Sequence, residues 1–386
     1  MLYYILTLIL GVILDTTIVP KPYRRKMRFW FVIWLYVFLC FGYMTGSDWR
    51  IYELDFYNMN TISDVRWSGE VLFGYLFLLL HRIIGDYWLS VGILKILYLY
   101  TLIRVTKRLS EFWLSVVVLM MPLSLLFILI DNPLRFMTAL ILVHVGMEMC
   151  LKQKTKLAIS LMFFSFFFHN ASIFFIILIP AILYAERLSS WNKIYLLVVY
   201  LVLTGISSYP ALIEAFRRWI VFSIRSYNEG MSTYNTYEVT SNVFLFSIGS
   251  LFELVIMGVV LFTRDTISQK NENGKLIFGM TVAYLMLARI LHVIPTGFRL
   301  VIPLGIFYTV YMIYLIKARN IFRWLFIVYI AASFPRYLWN TYKFIPYSNS
   351  IPYIITGHLD YYERSMYNIS DFKNRTQEDV YIMITP

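Results

Sequence analysis

Residues 111–150 read EFWLSVVVLMMPLSLLFILIDNPLRFMTALILVHVGMEMC. Two long apolar runs, 111–130 and 133–150, are separated only by the turn Asp131-Asn132. After Glu111 the first run carries no ionisable side chain, and the second carries only Arg135, His144 and Glu148. A bilayer-spanning helix needs about 20 mostly apolar residues. In lipid the backbone must satisfy its own hydrogen bonds, and a helix does so within one segment. The stretch therefore predicts two spanning helices joined by a tight polar turn. The flanks support this. Arg104, Lys107 and Arg108 precede the pair and Lys152, Lys154 and Lys156 follow it, whereas the turn has no basic residue. That asymmetry is the charge signature of membrane topology.

The same pattern extends over the chain. Of its 386 residues 60% are apolar or aromatic and 15% charged, against about 25% charged in a soluble protein. Such a composition could not cover a water-exposed surface without large apolar patches. Apolar runs near 1–19, 29–45, 87–104, 111–130, 133–150, 157–169, 171–186, 193–209, 242–263, 276–294, 300–316 and 321–335 predict about 12 transmembrane helices in an all-α, polytopic membrane protein. The net charge of +12 does not indicate nucleic acid, because the basic residues sit in short clusters between apolar runs. Cys40 and Cys150 lie inside apolar runs and read as small buried hydrophobes. The first 19 residues lack a leading basic stretch and a small-residue cleavage site, and read as a retained span.

Lys and Arg set the orientation. The clusters in 20–28, 104–111, 151–156, 264–275 and 317–323 fall on one side, taken as cytoplasmic; the turns at 131–132 and 170 fall on the other. This holds only if segment 46–86 starts and ends outside. Its apolar stretch is too short to cross comfortably, so an interfacial or re-entrant helix is expected near 70–84. Residues 1–340 then form one transmembrane domain with outer-face loops 46–86 and 210–241, and 341–386 form an outer-face tail.

Ionisable side chains in lipid usually face a partner or a polar cavity. The embedded or edge set is Asp15, Lys95, Arg135, His144, Glu148, His169, Glu253, Arg289, His292 and Arg299. By this topology Asp48, Glu70, Arg135, His169, His292 and Arg299 share the outer face. Structural roles compete with a functional one at each. Asp48 could cap the next helix, Glu70 could complement a helix dipole, Arg135 and Arg299 could snorkel to the interface, and His169 could be an interface residue. Lys95 and Glu253 are expected to pair with each other. Two arginines at an outer cavity suit a lipid-linked phosphate or pyrophosphate, because guanidinium offers a planar fork and keeps its charge when partly buried.

Four short elements carry a family resemblance. Gly46-Ser47-Asp48-Trp49-Arg50-Ile51-Tyr52 resembles the G-x-D-x-x-x-Y element after the second span of EpsG-like, Wzy-type polysaccharide polymerases. Glu70-Val71-Leu72-Phe73 resembles their E-P-[LG]-F element, with Val71 in place of proline. Leu134-Arg135-Phe136 stands where the family has R-Q, with Phe136 replacing glutamine. Phe168-His169-Asn170-Ala171-Ser172 is similar to the F-H-x-S-A-like element, about 34 residues after Arg135. Gly297-Phe298-Arg299 and Ile345-Pro346-Tyr347 look like later, looser counterparts.

The resemblance implies a multi-helix, GT-C-like membrane glycosyltransferase that joins repeat units carried on undecaprenyl pyrophosphate, at the outer face of the bacterial cytoplasmic membrane. Its partners would be the lipid bilayer, the lipid-linked oligosaccharide, and a chain-length regulator and flippase of the same pathway. Arg135 and Arg299 would bind pyrophosphate, Asp48 or His169 would act on the acceptor hydroxyl, and Glu70 and Tyr52 would meet sugar. The scheme needs no metal or other cofactor. A lipid-linked oligosaccharide flippase and a glycan ligase using the same donor are the alternatives.

Overall fold

The computed structural model describes residues 2–16, 21–46, 48–61, 64, 70–131, 133–209, 248–269, 272–291, 297–318, 324, 327, 330, 334 and 348–366. Loop 210–241, His292, most of the span expected at 321–335, the Ile345-Pro346-Tyr347 element and the tail beyond 366 lie outside them.

Among the described residues the secondary structure is helical apart from one two-stranded ladder. Helix α1 (Leu2–Thr16) and α2 (Lys21–Cys40) are followed by strand β1 (Gly42–Tyr43), α3 (Trp49–Asn58), α4 (Val71–Ile84) and α5 (Tyr87–Leu109). The run expected to be one helix over 111–130 is broken. It comprises α6 (Trp113–Leu119), a π-helical turn at Met121–Leu125 and the short α7 (Leu126–Leu129). Pro122 sits in the first turn of the π segment, where its missing N–H and its ring prevent a regular helix from continuing. Then come α8 (Leu134–Leu151), α9 (Thr155–Ser165), a 3₁₀ segment (Asn170–Ile177) running into α10 (Leu178–Leu188), and α11 (Lys193–Ser207). The later elements are α12 (Ile248–Phe262), α13 (Arg264–Ser268), α14 (Gly274–Leu291), α15 (Phe298–Val301) and α16 (Gly305–Lys317). Strand β2 (Ser348–Asn349) and α17 (Ile351–Thr356) follow.

Four segments are long and apolar enough to cross a bilayer: Tyr87–Leu109, Leu134–Leu151, Asn170–Leu188 and Gly274–Leu291. Six further apolar helices are shorter, at 10–17 residues. The chain is thus an all-α membrane protein. Helix α8 packs against both α5 and α9. It runs in the same direction as α5, since Thr101 meets His144 and Arg104 meets Glu148.

The basic loops converge on one face. Arg104 and Lys152 share Glu148, and Arg28 pairs with Asp15, which also accepts the Ser115 N–H. Lys193 binds Asp265, and Arg264 donates to the Trp191 carbonyl. Lys317 lies over the Phe112 ring. At 1.5 Å per residue, Arg135 at the start of α8 is about 20 Å from Glu148 near its end.

Helix α4 does not lead away from α3 but lies along it. Tyr52 contacts Phe73 and Phe77, while Phe56 contacts Phe77, His81 and Tyr87. Both ends of α4 therefore stay beside the same ten-residue helix. Gly85 closes α4 with φ +71°, its N–H bonding to the Leu80 carbonyl, a left-handed cap suited to glycine. The outward stripe Val71, Tyr75, Leu79 and Ile83 is apolar and exposed.

One further expectation needs correction. Lys95 and Glu253 do not pair. Glu253 takes a 2.6 Å ion pair from Arg289, whereas Lys95 is fully buried and its Nζ has no hydrogen-bond partner among the described residues. The geometric reason is that Glu253 sits on α12, which packs on α14, the helix that carries Arg289.

Candidate functional site at the membrane edge

Helix α8 starts after Pro133, so Arg135 stands in its first turn. The guanidinium does not snorkel outward. It donates Nη1–H to Glu70 Oε2 at 2.8 Å and Nε–H to the Tyr52 hydroxyl at 3.2 Å. Arg135 thereby joins the first turn of α8, the start of α4 and the middle of α3.

Glu70 occupies the N-cap position of α4, but its side chain makes no cap bond there. Its carboxylate turns to three donors instead. Besides Arg135, Oε1 lies 2.9 Å from His169 Nδ1 and accepts the Asn170 N–H at 3.1 Å. The Leu72 N–H donates to the Phe167 carbonyl at 3.1 Å, which fixes α4 against this chain reversal. Burial pushes the Glu70 carboxyl upward, but the bonds to His169 and Asn170 and the charge of Arg135 outweigh it, so the net shift is down. Three donors around one buried carboxylate stabilise its charged form. Burial raises the Tyr52 phenol, against the lowering effect of Arg135.

With a carboxylate against Nδ1, the favoured neutral imidazole carries its proton on Nδ1 and leaves the Nε2 lone pair available. The His169 ring meets the edge of Phe136 at a centroid distance of 5.5 Å. The Arg299 guanidinium lies 5.9 Å from the centre of the same ring and 5.5 Å from that of Phe127. Its Nε is buried without a hydrogen-bond partner among the described residues. Phe136 is therefore the wall between Arg135's network and Arg299.

Asp48 stands at the N-cap of α3 without a side-chain cap bond, and its carbonyl accepts the Tyr52 N–H at 3.2 Å. Its negative charge opposes ionisation of the Tyr52 hydroxyl. Upstream, Gly46 has φ +79°, and a Cβ there would come 2.5 Å from the Asp131 carbonyl oxygen. Only glycine fits both the left-handed backbone and the contact, so the loops before α3 and α8 can touch. Among the described residues no group of three or more His, Cys, Asp or Glu could hold a metal ion.

Of the six candidate residues, Tyr52, Glu70, Arg135 and His169 form one hydrogen-bonded cluster, Asp48 lies one turn from Tyr52, and Arg299 lies across Phe136. The fold adds the Asn170 amide and the Phe136 wall. The substitution of phenylalanine for glutamine after Arg135 was the one sequence signal pointing to Phe136.

Apolar helices long enough to cross a bilayer define an integral membrane protein, and this one carries a buried charge cluster where α3, α4 and α8 meet. The chain belongs to the EpsG family, whose model matches residues 26–354. The family points to polysaccharide polymerisation in general. No curated protein and no solved structure matches the chain.

Proposed function

We propose that this protein is a membrane glycosyltransferase of about 12 spans and GT-C-like architecture that polymerises undecaprenyl-pyrophosphate-linked repeat units. On this reading the cluster opens at the outer face of the bacterial cytoplasmic membrane. Residues 1–340 form the transmembrane domain and 341–386 the outer tail. The observation that carries the proposal is Arg135, held by Tyr52 and Glu70, with Arg299 beyond Phe136.

The acceptor hydroxyl attacks the anomeric carbon of the donor chain. The carbon–oxygen bond to pyrophosphate breaks, and undecaprenyl pyrophosphate leaves with the electron pair. Arg135 and Arg299 stabilise the negative charge that develops on it. The hydroxyl proton passes to His169 Nε2, and Glu70 holds that ring by Nδ1. A general base of this kind contributes about 10²–10⁴-fold. Asp48 and Tyr52 orient the acceptor sugar. Glu70 already has three donors, so it acts as a holder and not as the base.

The test compares surface glycans and lipid-linked intermediates, separated by size, in cells with the parent protein, with Arg135→Ala and with no protein. The expected result is loss of long polymer and accumulation of single repeat units at the outer face in both altered strains, with Arg135→Ala at normal level in the membrane. Normal polymer from Arg135→Ala refutes its assignment. Intermediates facing the cytoplasm favour a flippase instead.

A further inference from the structure

Helix α3 presents Asp48 and Tyr52, yet it has only ten residues. Isolated helices shorter than about 12–15 residues are marginal, so tertiary contacts must set its position. One side, Tyr52 and Phe56, packs on α4. Trp49 and Glu53, the adjoining flank of the same buried stripe, are gripped by the C-terminal segment. Arg364, in the helical turn over 361–366, donates Nη1–H to Glu53 Oε2 at 2.7 Å. The two side chains are 4% and 1% exposed. Trp88 donates its Nε1–H to the other Glu53 oxygen at 3.0 Å, and Arg364 Nε–H binds the Leu359 carbonyl at 2.8 Å. The guanidinium also lies 5.8 Å from the centre of the Tyr43 ring, 5.5 Å from Trp49 and 6.0 Å from Tyr361.

This grip is tied down on both sides. Strand β2 pairs antiparallel with β1. Tyr353 stacks on Tyr43 at 4.3 Å, and the Tyr361 hydroxyl donates to the Arg50 carbonyl at 3.3 Å. His358 Nε2 lies 2.8 Å from Asp86 Oδ2, and Asp86 caps α5 by accepting the Leu89 N–H. Arg364, Tyr361 and His358 all lie beyond residue 354, where the family match ends.

We propose that Arg364 is a positioning residue: through Glu53 it fixes α3, so that Tyr52 meets Arg135 and Asp48 faces the acceptor. The proposal rests on the polymerase reading for its catalytic consequence and on geometry alone for the grip. Without Arg364 the Glu53 carboxylate is left buried and uncompensated, which loosens its surroundings more than removing the whole pair does.

The experiment uses the full chain in nanodiscs, comparing the parent with Arg364→Gln, Arg364→Lys and the double variant Glu53→Gln/Arg364→Gln. Three quantities are read: turnover of lipid-linked repeat units extracted from the same cells, binding of undecaprenyl pyrophosphate alone, and hydrogen exchange of amides 49–58. Arg364→Gln is expected to lower turnover about 10- to 100-fold, in line with small misplacements of reacting groups. Its affinity for undecaprenyl pyrophosphate should stay within about threefold, because Arg135 and Arg299 remain, again in the range that positioning alone leaves untouched. Exchange in α3 should rise. Arg364→Lys should fall between parent and Arg364→Gln, and the double variant should recover turnover relative to Arg364→Gln. Unchanged turnover in Arg364→Gln, or lost turnover with unchanged α3 exchange, overturns the proposal. If the parent makes no polymer but Arg364→Gln still raises α3 exchange, the grip stands and the polymerase reading falls.

Discussion

The Arg135–Glu70 contact can be tested energetically with a double-mutant cycle of Glu70→Gln, Arg135→Gln and the double variant. Two unit charges about 4 Å apart at an effective dielectric near 20 attract by about 4 kcal/mol. The Glu70 side chain is 6% exposed and that of Arg135 31%, so solvent screens one partner and the net coupling should be smaller. A hydrogen bond to a charged group contributes about 1.5–3 kcal/mol. Arg135→Gln leaves Glu70 with His169 and the Asn170 amide, which limits its loss to about 2–3 kcal/mol, at or below the usual range for breaking a buried pair. Glu70→Gln strips Arg135 of its carboxylate but leaves Tyr52, and a loss of about 2 kcal/mol follows on the same scale. The double variant should fall short of the sum by about 1.5–2 kcal/mol, the non-additivity expected of contacting residues. Denaturant unfolding of the purified chain in mild detergent measures all three. Additivity within about 0.5 kcal/mol, as for independent sites, would refute the view that these two side chains form the joint of the cluster.

Gly46→Ala should destabilise the protein by about 1–3 kcal/mol, because a Cβ meets the Asp131 carbonyl on a left-handed backbone; an unfolding midpoint equal to the parent's would contradict this. Glu70 also predicts a pH dependence. Its folded carboxyl titrates below the ordinary value of 4.5, so its stabilisation is complete above that value and is lost as pH falls through the lower folded pKa. Unfolding measured from pH 8 to pH 3 should show an acid limb below about pH 4.5 that Glu70→Gln reduces; an identical limb in both proteins counts against the assignment. Lys95→Met removes a buried cation without a hydrogen-bond partner among the described residues and should stabilise the chain by about 2–3 kcal/mol, the scale for lysine at a helix centre. A lower unfolding midpoint for that variant would mean Lys95 has a partner that matters.

Much of the fold is legible in the sequence. Apolar runs give the helices, because that signal is local. The helix along 70–84 was legible from charge bookkeeping, and its packing on α3 explains why it begins and ends beside the same element. The interruption at Pro122 was harder, since the run around it is apolar throughout and hydropathy alone does not register a lost backbone bond. Glu253 pairs with Arg289 and not with Lys95, because sequence does not say which helix lies beside which. The site shows the same division. Glu70, Arg135 and His169 were each identifiable as ionisable groups at one face. Their mutual bonds, 65 and 99 residues apart in sequence, depend on helix packing. The Arg364 grip on Glu53 was invisible, because an arginine in a polar tail gives no local sign of burial.

The distribution of the charges bears on what kind of work the protein does. A carrier that moves a charged lipid across the membrane wants polar groups near the midplane, usually in related halves. Here ion pairs gather near the two ends of α5 and α8. Glu70–Arg135 and Glu53–Arg364 lie at one end, and Asp15–Arg28 and Glu148–Arg104 at the other. Between them on α5 and α8 stand Lys95 and His144, both fully buried and neither in an ion pair among the described residues. A phosphate passing through the bundle would leave Arg135's network and, on α5 and α8, meet Lys95 alone before reaching Arg104. A phosphate that arrives from the lipid edge and stays there meets Arg135, with Arg299 on the other side of one phenylalanine ring. On the proposed reading, Arg135 and Arg299 on either side of Phe136 hold one anion in place while a bond to it breaks, a demand of transfer chemistry and not of transport.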